Sequence, residues 1–528
     1  MKNTNYIKRL FKSLTACSIF ALLLVGCTSQ FEEYNTDPYG VSDDQLAYDN
    51  FKIGSFFPQL EQYVIANPAN VDAYVYQLNH SLFGDVYSGY ISTIGTWGGG
   101  TNSTTYNFDN NWIDTPFGTF VDIIGAWREI KKAVNNENSE VYALAQVLKI
   151  SALIRLTDMY GPLPYTQLQE GVFAVPYDSQ EVIYKSFFEE LNSAISVMTK
   201  FVVANPQGRF SPKYDQVYQG NYTSWIKYAN SLKLRLAMRI NRVEPDLAKQ
   251  YAEEAVNQEF GVIISNGDNA VLPVENNPLE RITNGYNEIR MSANMESILN
   301  GYSDPRVAKY FKAGKSGDKE GYYGVRTSVR VTNSAIYEDF SRLNFEKSSP
   351  LIWLTAAEVS FLRAEGATLG WNMGGDAKTF YNDGITKSFQ QWNCSGADAY
   401  IQNETATPIN YSTEVVVGHN ISTEITATVK WDESLSQTQK LEKIMTQRWI
   451  AMYPNGQEAW SEFRRTGYPK LFPPKDNRSN GKVSSEDQIK RIPFSHREYS
   501  TNADNIAKAI TLLGGPDIGS TPLWWDVD

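Results

Sequence analysis

The 528-residue chain is poor in cysteine and histidine, with three of each. Cys17, Cys27 and Cys394 leave no pair for an internal disulfide once the first two are assigned to the N-terminal segment read below. The fold therefore has to be held by a packed core. His80, His419 and His496 stand far apart, outside any zinc-ligand spacing. Past the N-terminal stretch Leu14–Val25, which is twelve residues long, no apolar run suits a membrane crossing; a spanning helix needs about 20 residues. Basic charge is also in short supply, at 48 Lys and Arg against 59 Asp and Glu. That balance argues against nucleic acid and against an anionic membrane surface as partners. There is no G-x-S-x-G elbow. Gly314-Lys315-Ser316 is like the end of a phosphate loop, but Lys309 stands where that loop requires glycine.

What is present begins with targeting. Lys2, Lys8, Arg9 and Lys12 precede the apolar stretch, and the first acidic residue is Glu32. The stretch ends Leu24-Val25-Gly26-Cys27, the pattern at which diacylglycerol is attached to the cysteine sulfur and the chain is cut before it. This predicts a signal peptide over 1–26, a lipidated Cys27 with a polar tether over 27–45, and one domain over 46–528. Ordinary secretory cleavage after Gly26, with Cys27 incidental, is the plainer alternative. Several acyl chains on one terminus anchor stably, where a single chain is marginal. Without the four basic residues of the signal, 44 basic residues face 59 acidic ones.

Helical periodicity dominates the rest. Val141, Leu144, Ala145, Leu148, Ala152 and Leu156 keep one apolar stripe, and Trp225, Tyr228, Ala229, Leu232, Leu236 and Ile240 keep another. Capping boxes are read at Thr355–Glu358 and Asp178–Glu181. The helices fall into consecutive pairs: 117–135 with 140–159, 180–202 with 221–242, 351–371 with 376–392, and 436–453 with 456–465. The expected fold is mostly α, with about four tetratricopeptide-like helix pairs under a loop-rich face. Minor β-hairpin content is expected at 413–430. Arg235, Arg239 and Arg242 read as the basic outer face of an amphipathic helix, and Cys394 as an inert buried thiol.

The long insertions at 92–115, 261–290 and 311–345 mix polar and aromatic residues, and function usually lies on such loops. The chain has 32 Tyr and 12 Trp, and an exposed ring suits the flat C–H face of a sugar. Trp97 precedes Gly98-Gly99-Gly100, where the backbone can approach a ligand closely. Its other reading is a plug folded back on the helical core. Asn102, Tyr106 and Trp112 share the loop, and an amide can both donate to and accept from adjacent hydroxyls. Tyr286, Arg290 and Tyr323 can face the same cleft if the insertions converge. Taken singly, each of these residues is as well read as turn or core. Asn107-x-Asp109-x-Asn111 hints at a calcium loop, but Trp112 stands where the turn needs glycine. No cofactor is expected, and a structural calcium ion stays open.

The chain resembles the SusD/RagB-like nutrient-binding lipoproteins of Bacteroidetes, in the SusD-like branch with an Asn-Thr-Asp-Pro start. The resemblance rests on Asn35-Thr36-Asp37-Pro38, GDVYSGY at 84–90, YANSLKLRLAMRI at 228–240 and WLTAAEVSFLRAEGATLGW at 353–371. QRWIAMYPNGQEAWSEFRRTGYP at 447–469 and Leu523-Trp524-Trp525-Asp526 complete it. It implies a helical, lipid-anchored protein on the outer-membrane surface, partnered with a SusC-like TonB-dependent transporter. It also implies oligosaccharide binding without catalysis, with peptide binding as the family's alternative. A glycoside hydrolase, the remaining possibility, would need two carboxylates set across a cleft, and no motif points to such a pair.

Overall fold

Side-chain caps set most of the helix starts. Ser139, Ser179, Asn221, Thr355, Asp376 and Ser436 each accept a hydrogen bond from the first turn of the helix that follows, a contribution of about 1 kcal/mol apiece. The computed structural model describes residues 51–68, 73–169, 171–172 and 174–527. The signal peptide, Cys27 and tether expected over 1–45 lie outside them. Among the described residues eleven helices reach eight residues: α1 Phe57–Val64, α2 Asn110–Val134, α3 Glu140–Tyr160, α4 Gln180–Ala204, α5 Tyr222–Arg239, α6 Pro245–Asn257, α7 Ala356–Thr368, α8 Ala377–Gln391, α9 Gln437–Met452, α10 Gly456–Thr466 and α11 Ala503–Leu513.

The pairs α2/α3, α4/α5 and α7/α8 pack as expected, while α9 lies against α7 more than against α10. Helix α2 begins seven residues earlier than the expected 117, because Asp109 caps it and Pro116 is carried inside. Helix α3 touches α1, α2, α4 and α10. Accordingly every residue from Tyr142 to Tyr160 except Gln146 is buried, well beyond one stripe. Ser179, rather than Asp178, caps α4; the Asp178 carboxylate instead accepts from Thr166. At Thr355 only half of the expected box forms, since the Glu358 carboxylate is drawn away to arginines.

Those arginines correct the expectation of a basic outer face. Arg235 and Arg239 are buried, and only Arg242 is exposed. Arg239 on α5 reaches Asp158 of α3 (2.5 Å) and Glu458 and Glu462 of α10 (2.5 and 2.9 Å). Arg235 grips Glu358 of α7 at 2.7 and 2.9 Å. Arg448 of α9 joins Glu462 to Glu358, at 2.7 and 3.1 Å, and Arg465 joins Glu462 to Glu365. Five helices are thus stitched by charges that have no water to turn to. Burial would raise the Glu462 carboxyl, yet Arg448, Arg465 and Arg239 hold it below its ordinary value.

Strands are short and all antiparallel: β1 Ile91–Thr93 pairs with β3 Ile289–Met291, and β2 Ala270–Leu272 with β6 Leu351–Leu354. The strands β4 Gly314–Ser316 and β5 Lys319–Gly321 form a hairpin. The Gly-Lys-Ser sequence is therefore a strand. The hairpin expected at 413–430 is instead an irregular loop closed by one bridge, Tyr411–Ile421. Side-chain amides take the place of the ladder there: Asn420 Oδ1 accepts from the Thr413 N–H and Asn410 Oδ1 from the Thr423 N–H. Val417 at the tip is 97% exposed. Cys394 is half-buried rather than buried, with burial pushing its thiol pKa up, so little of it is thiolate. No helix among the described residues is long and apolar enough to cross a membrane.

Candidate functional site

The β1–β3 pairing, with Ser92 opposite Arg290, brings the 92–115 loop onto the second insertion. The Ile94 N–H then donates to Glu288 O at 2.7 Å. The third insertion joins them through Ser92 Oγ, which donates to Arg326 O (2.7 Å), and Arg330 Nε, which donates to Gly99 O (3.1 Å). Below these links lies a small separate core of Ile94, Val325, Val329, Val331, Tyr337 and Phe340, with Tyr323 and Val416 packed on it. The three insertions do converge.

Trp97 and Trp112 meet edge to face, with ring centroids 5.6 Å apart, and both are half-buried. Trp112 rides on the first turn of α2, which Asp109 holds by accepting from the Asn111 and Trp112 N–H groups. The Trp97 ring lies on Gly95, where a Cβ would come within 2.5 Å of it. The Trp97 indole lies near the Glu288 carboxylate, which accepts from Gln77 Nε2; burial raises Glu288 above the ordinary carboxylate value although both neighbours act to lower it. Gly98, Gly99 and Gly100 all have positive φ (55°, 64° and 79°). Gly98 and Gly99 are exposed, whereas Gly100 meets the Arg330–Val331 backbone, where a Cβ would stand 2.4 Å from Val331 N. Trp97 is therefore plug on one face and half-exposed platform elsewhere. Arg330 is exposed beside it, so a ring pair, a carboxylate and a cation border one open surface.

The other named residues divide. Asn102 is buried: its Oδ1 accepts from the Thr104 N–H and hydroxyl, and its Nδ2 donates to Trp97 O at 3.0 Å. It shapes the turn that presents Trp97 and offers little to a ligand. Tyr106, left-handed at φ 66°, is also buried, its ring against Tyr87. Arg290 is fully buried, contrary to the expectation of a cleft residue. Its two NH2 groups donate to Ile289 O, Asn287 Oδ1 and Glu338 O while Nε has no partner among the described residues, and burial followed by Arg342 lowers its pKa to about 10. Tyr286, 5.3 Å from the Arg281 guanidinium, and Tyr323 are half-buried and keep some surface. Glu288, Gln77 and Arg330 were not singled out from sequence. Only the adjacency of Glu288 to Tyr286 and Arg290 pointed towards it.

A helical-repeat body presenting an aromatic loop surface is a ligand-binding architecture, and the comparisons give its family. The model described as SusD-like, Susd and RagB outer membrane lipoprotein, matches residues 33–526; the chain belongs to the SusD-like family. It is similar to a chitin-binding SusD homologue from Flavobacterium johnsoniae, 39% identical, covering 90% of this chain and 99% of that one with TM-score 0.87. A SusD homologue from Bacteroides thetaiotaomicron is 35% identical over 90% of this chain and 99% of its own, TM-score 0.84. One from Bacteroides uniformis is 36% identical over 90% and 100%, TM-score 0.83. No curated protein sequence matches.

Proposed function

We propose that this protein captures oligosaccharides at the outer-membrane surface, anchored through lipid on Cys27, and passes them to a SusC-like TonB-dependent transporter. The observation that carries the reading is the Trp97–Trp112 pair, half-exposed on a glycine-rich loop beside Glu288. Rings held edge to face are rigid, so they offer a sugar a stacking surface with little entropy left to lose. Glu288, Arg330 and the exposed amides of Asn107 and Asn111 supply hydrogen bonds for hydroxyls. Similarity to a chitin-binding homologue supports a glycan as the ligand class. Capture needs no bond made or broken, so the protein works without catalysis and without a cofactor, and closure over the transporter then encloses the ligand. Affinity of roughly micromolar, about −8 kcal/mol, suits capture followed by release.

Calorimetric titration of the chain from residue 28 against plant, host and microbial oligosaccharides, chitin fragments included, tests this. The expected result is one sugar series that binds, with Trp97→Ala weakening it about tenfold or more. Heat from peptides alone, or new reducing ends released from the glycan, would overturn it.

A further inference from the structure

The stretch carrying Trp112 also walls a second hollow. A cavity of about 420 Å³ lies between residues 106–113 on one side and residues 479–499 and 517–519 on the other, a volume within the range of small-ligand sites, about 300–1,000 Å³. Its walls are tied to one another. The Arg478 N–H donates to Thr105 O at 2.7 Å, and Ser495 Oγ and the His496 N–H donate to Asp114 Oδ1 at 2.8 and 2.6 Å. Asp517 accepts from the Phe494 N–H and the Tyr499 hydroxyl and pairs with Arg491. Phe108 rests on Gly519, where a Cβ would stand 3.1 Å from its ring.

Into this braced hollow come groups the protein does not use. The Asn110 and Asn480 amides and the Lys482 ammonium line it with no partner among the described residues, beside the rings of Phe108 and Tyr499. The one carboxylate, Asp517, is already neutralised by Arg491. Aromatic faces with unspent amides and an ammonium donor suit a polyhydroxyl ligand, whose hydroxyls can accept from all of them. Asn110 and Trp112 stand two residues apart on the first turn of α2, so their side chains leave the helix on different sides and the helix start forms a ridge between the two surfaces. We propose that the hollow is a second binding position for the glycan held at Trp97–Trp112, the ligand being an oligosaccharide long enough to cross that ridge. This rests on the capture reading above.

The test is calorimetric titration of one oligosaccharide series, from disaccharide to octasaccharide, against the wild type, Trp97→Ala, and the double variant Asn110→Ala/Asn480→Gly. Asn110 is exposed and Asn480 is exposed with φ 55°, so alanine and glycine respectively leave the fold undisturbed. In the wild type affinity rises with chain length. The double variant binds short members as the wild type does but loses about tenfold on the long ones, whereas Trp97→Ala weakens every length. Long members binding the double variant at wild-type strength would overturn the second position and leave capture standing. A wild type that binds no member of any sugar series would overturn both.

Discussion

Replacing Arg239 by methionine should be among the most damaging single changes in the chain. The side chain is fully buried and neutralises carboxylates from two helices, at 2.5 Å to Asp158, 2.5 Å to Glu458 and 2.9 Å to Glu462. Methionine keeps the apolar stem and removes the charge. Glu462 retains Arg448 and Arg465, and Glu458 retains Arg448 at 3.3 Å. Asp158 keeps Arg464 nearby, on its backbone oxygen, but its carboxylate is left with neutral hydrogen-bond donors such as the Tyr184 hydroxyl and the Trp525 indole N–H, so the penalty is largest there. Removing one partner of a buried pair costs about 3–5 kcal/mol, a large share of the 5–15 kcal/mol typical of a folded domain. The assay is urea unfolding followed by the fluorescence of the buried tryptophans, Trp225, Trp353, Trp449, Trp460 and Trp525. Arg242→Met, at the exposed position three residues on, is the control and should stay within about 0.5 kcal/mol. Adding Asp158→Asn to Arg239→Met should recover part of the loss. If Arg239→Met costs less than about 1 kcal/mol, or no more than the control, the network is not what holds these helices together.

Glu462 is held below the ordinary carboxylate value, so its stabilisation is complete above about pH 4.3, the unfolded value, and is lost as pH falls through the folded one; the acid-side drop in urea midpoint should flatten in Glu462→Gln. Asp85 runs the other way, since burial pushes it up to about 7. Its contribution is present below about pH 3.9 and declines as pH rises to 7, by up to about 4 kcal/mol, and Asp85→Asn should reduce the decline seen in midpoints measured between pH 5 and 7. Gly100→Ala puts a Cβ 2.4 Å from Val331 N at φ 79°; a local cost of about 1–3 kcal/mol and weaker glycan binding are expected by urea unfolding and calorimetry, and no change in either would refute the close approach.

The helical body was legible because its signals are local. Helical spacing lies within one window, and the expected pairs placed α3, α4, α5, α8, α9 and α10 within a few residues. What the window misses is partnership at long range. Arg235 and Arg239 sit at helical spacing like solvent-facing residues, yet their carboxylates come from Asp158, Glu358, Glu458 and Glu462, 81 positions or more away. The same limit applies at the site. The ring and the glycines of 97–100 were readable as a platform, but the approach of Glu288 to Trp97 depends on β1 meeting β3. The inward turn of Asn102 had a local cue, since Asn102-Ser103-Thr104-Thr105 follows a capping pattern. The valines of 415–417 show the reverse error: strand propensity was present, but no strand lay alongside to pair with them.

These two kinds of signal divide the molecule by task. The charges that stitch α3, α5, α7, α9 and α10 find their ion-pair partners within the helical body, and none of those partners comes from residues 92–115. The loop is held by its own turn at Asn102–Thr105, by the cap at Asp109, and by hydrogen bonds to the other insertions, to Tyr87 and to residues 478–496. Substitutions at its exposed positions therefore change what is presented to a ligand while the buried network keeps the body folded. On that argument Asn111→Ala, at an exposed position, should alter binding far more than stability, whereas Arg239→Met should abolish binding only by unfolding the scaffold.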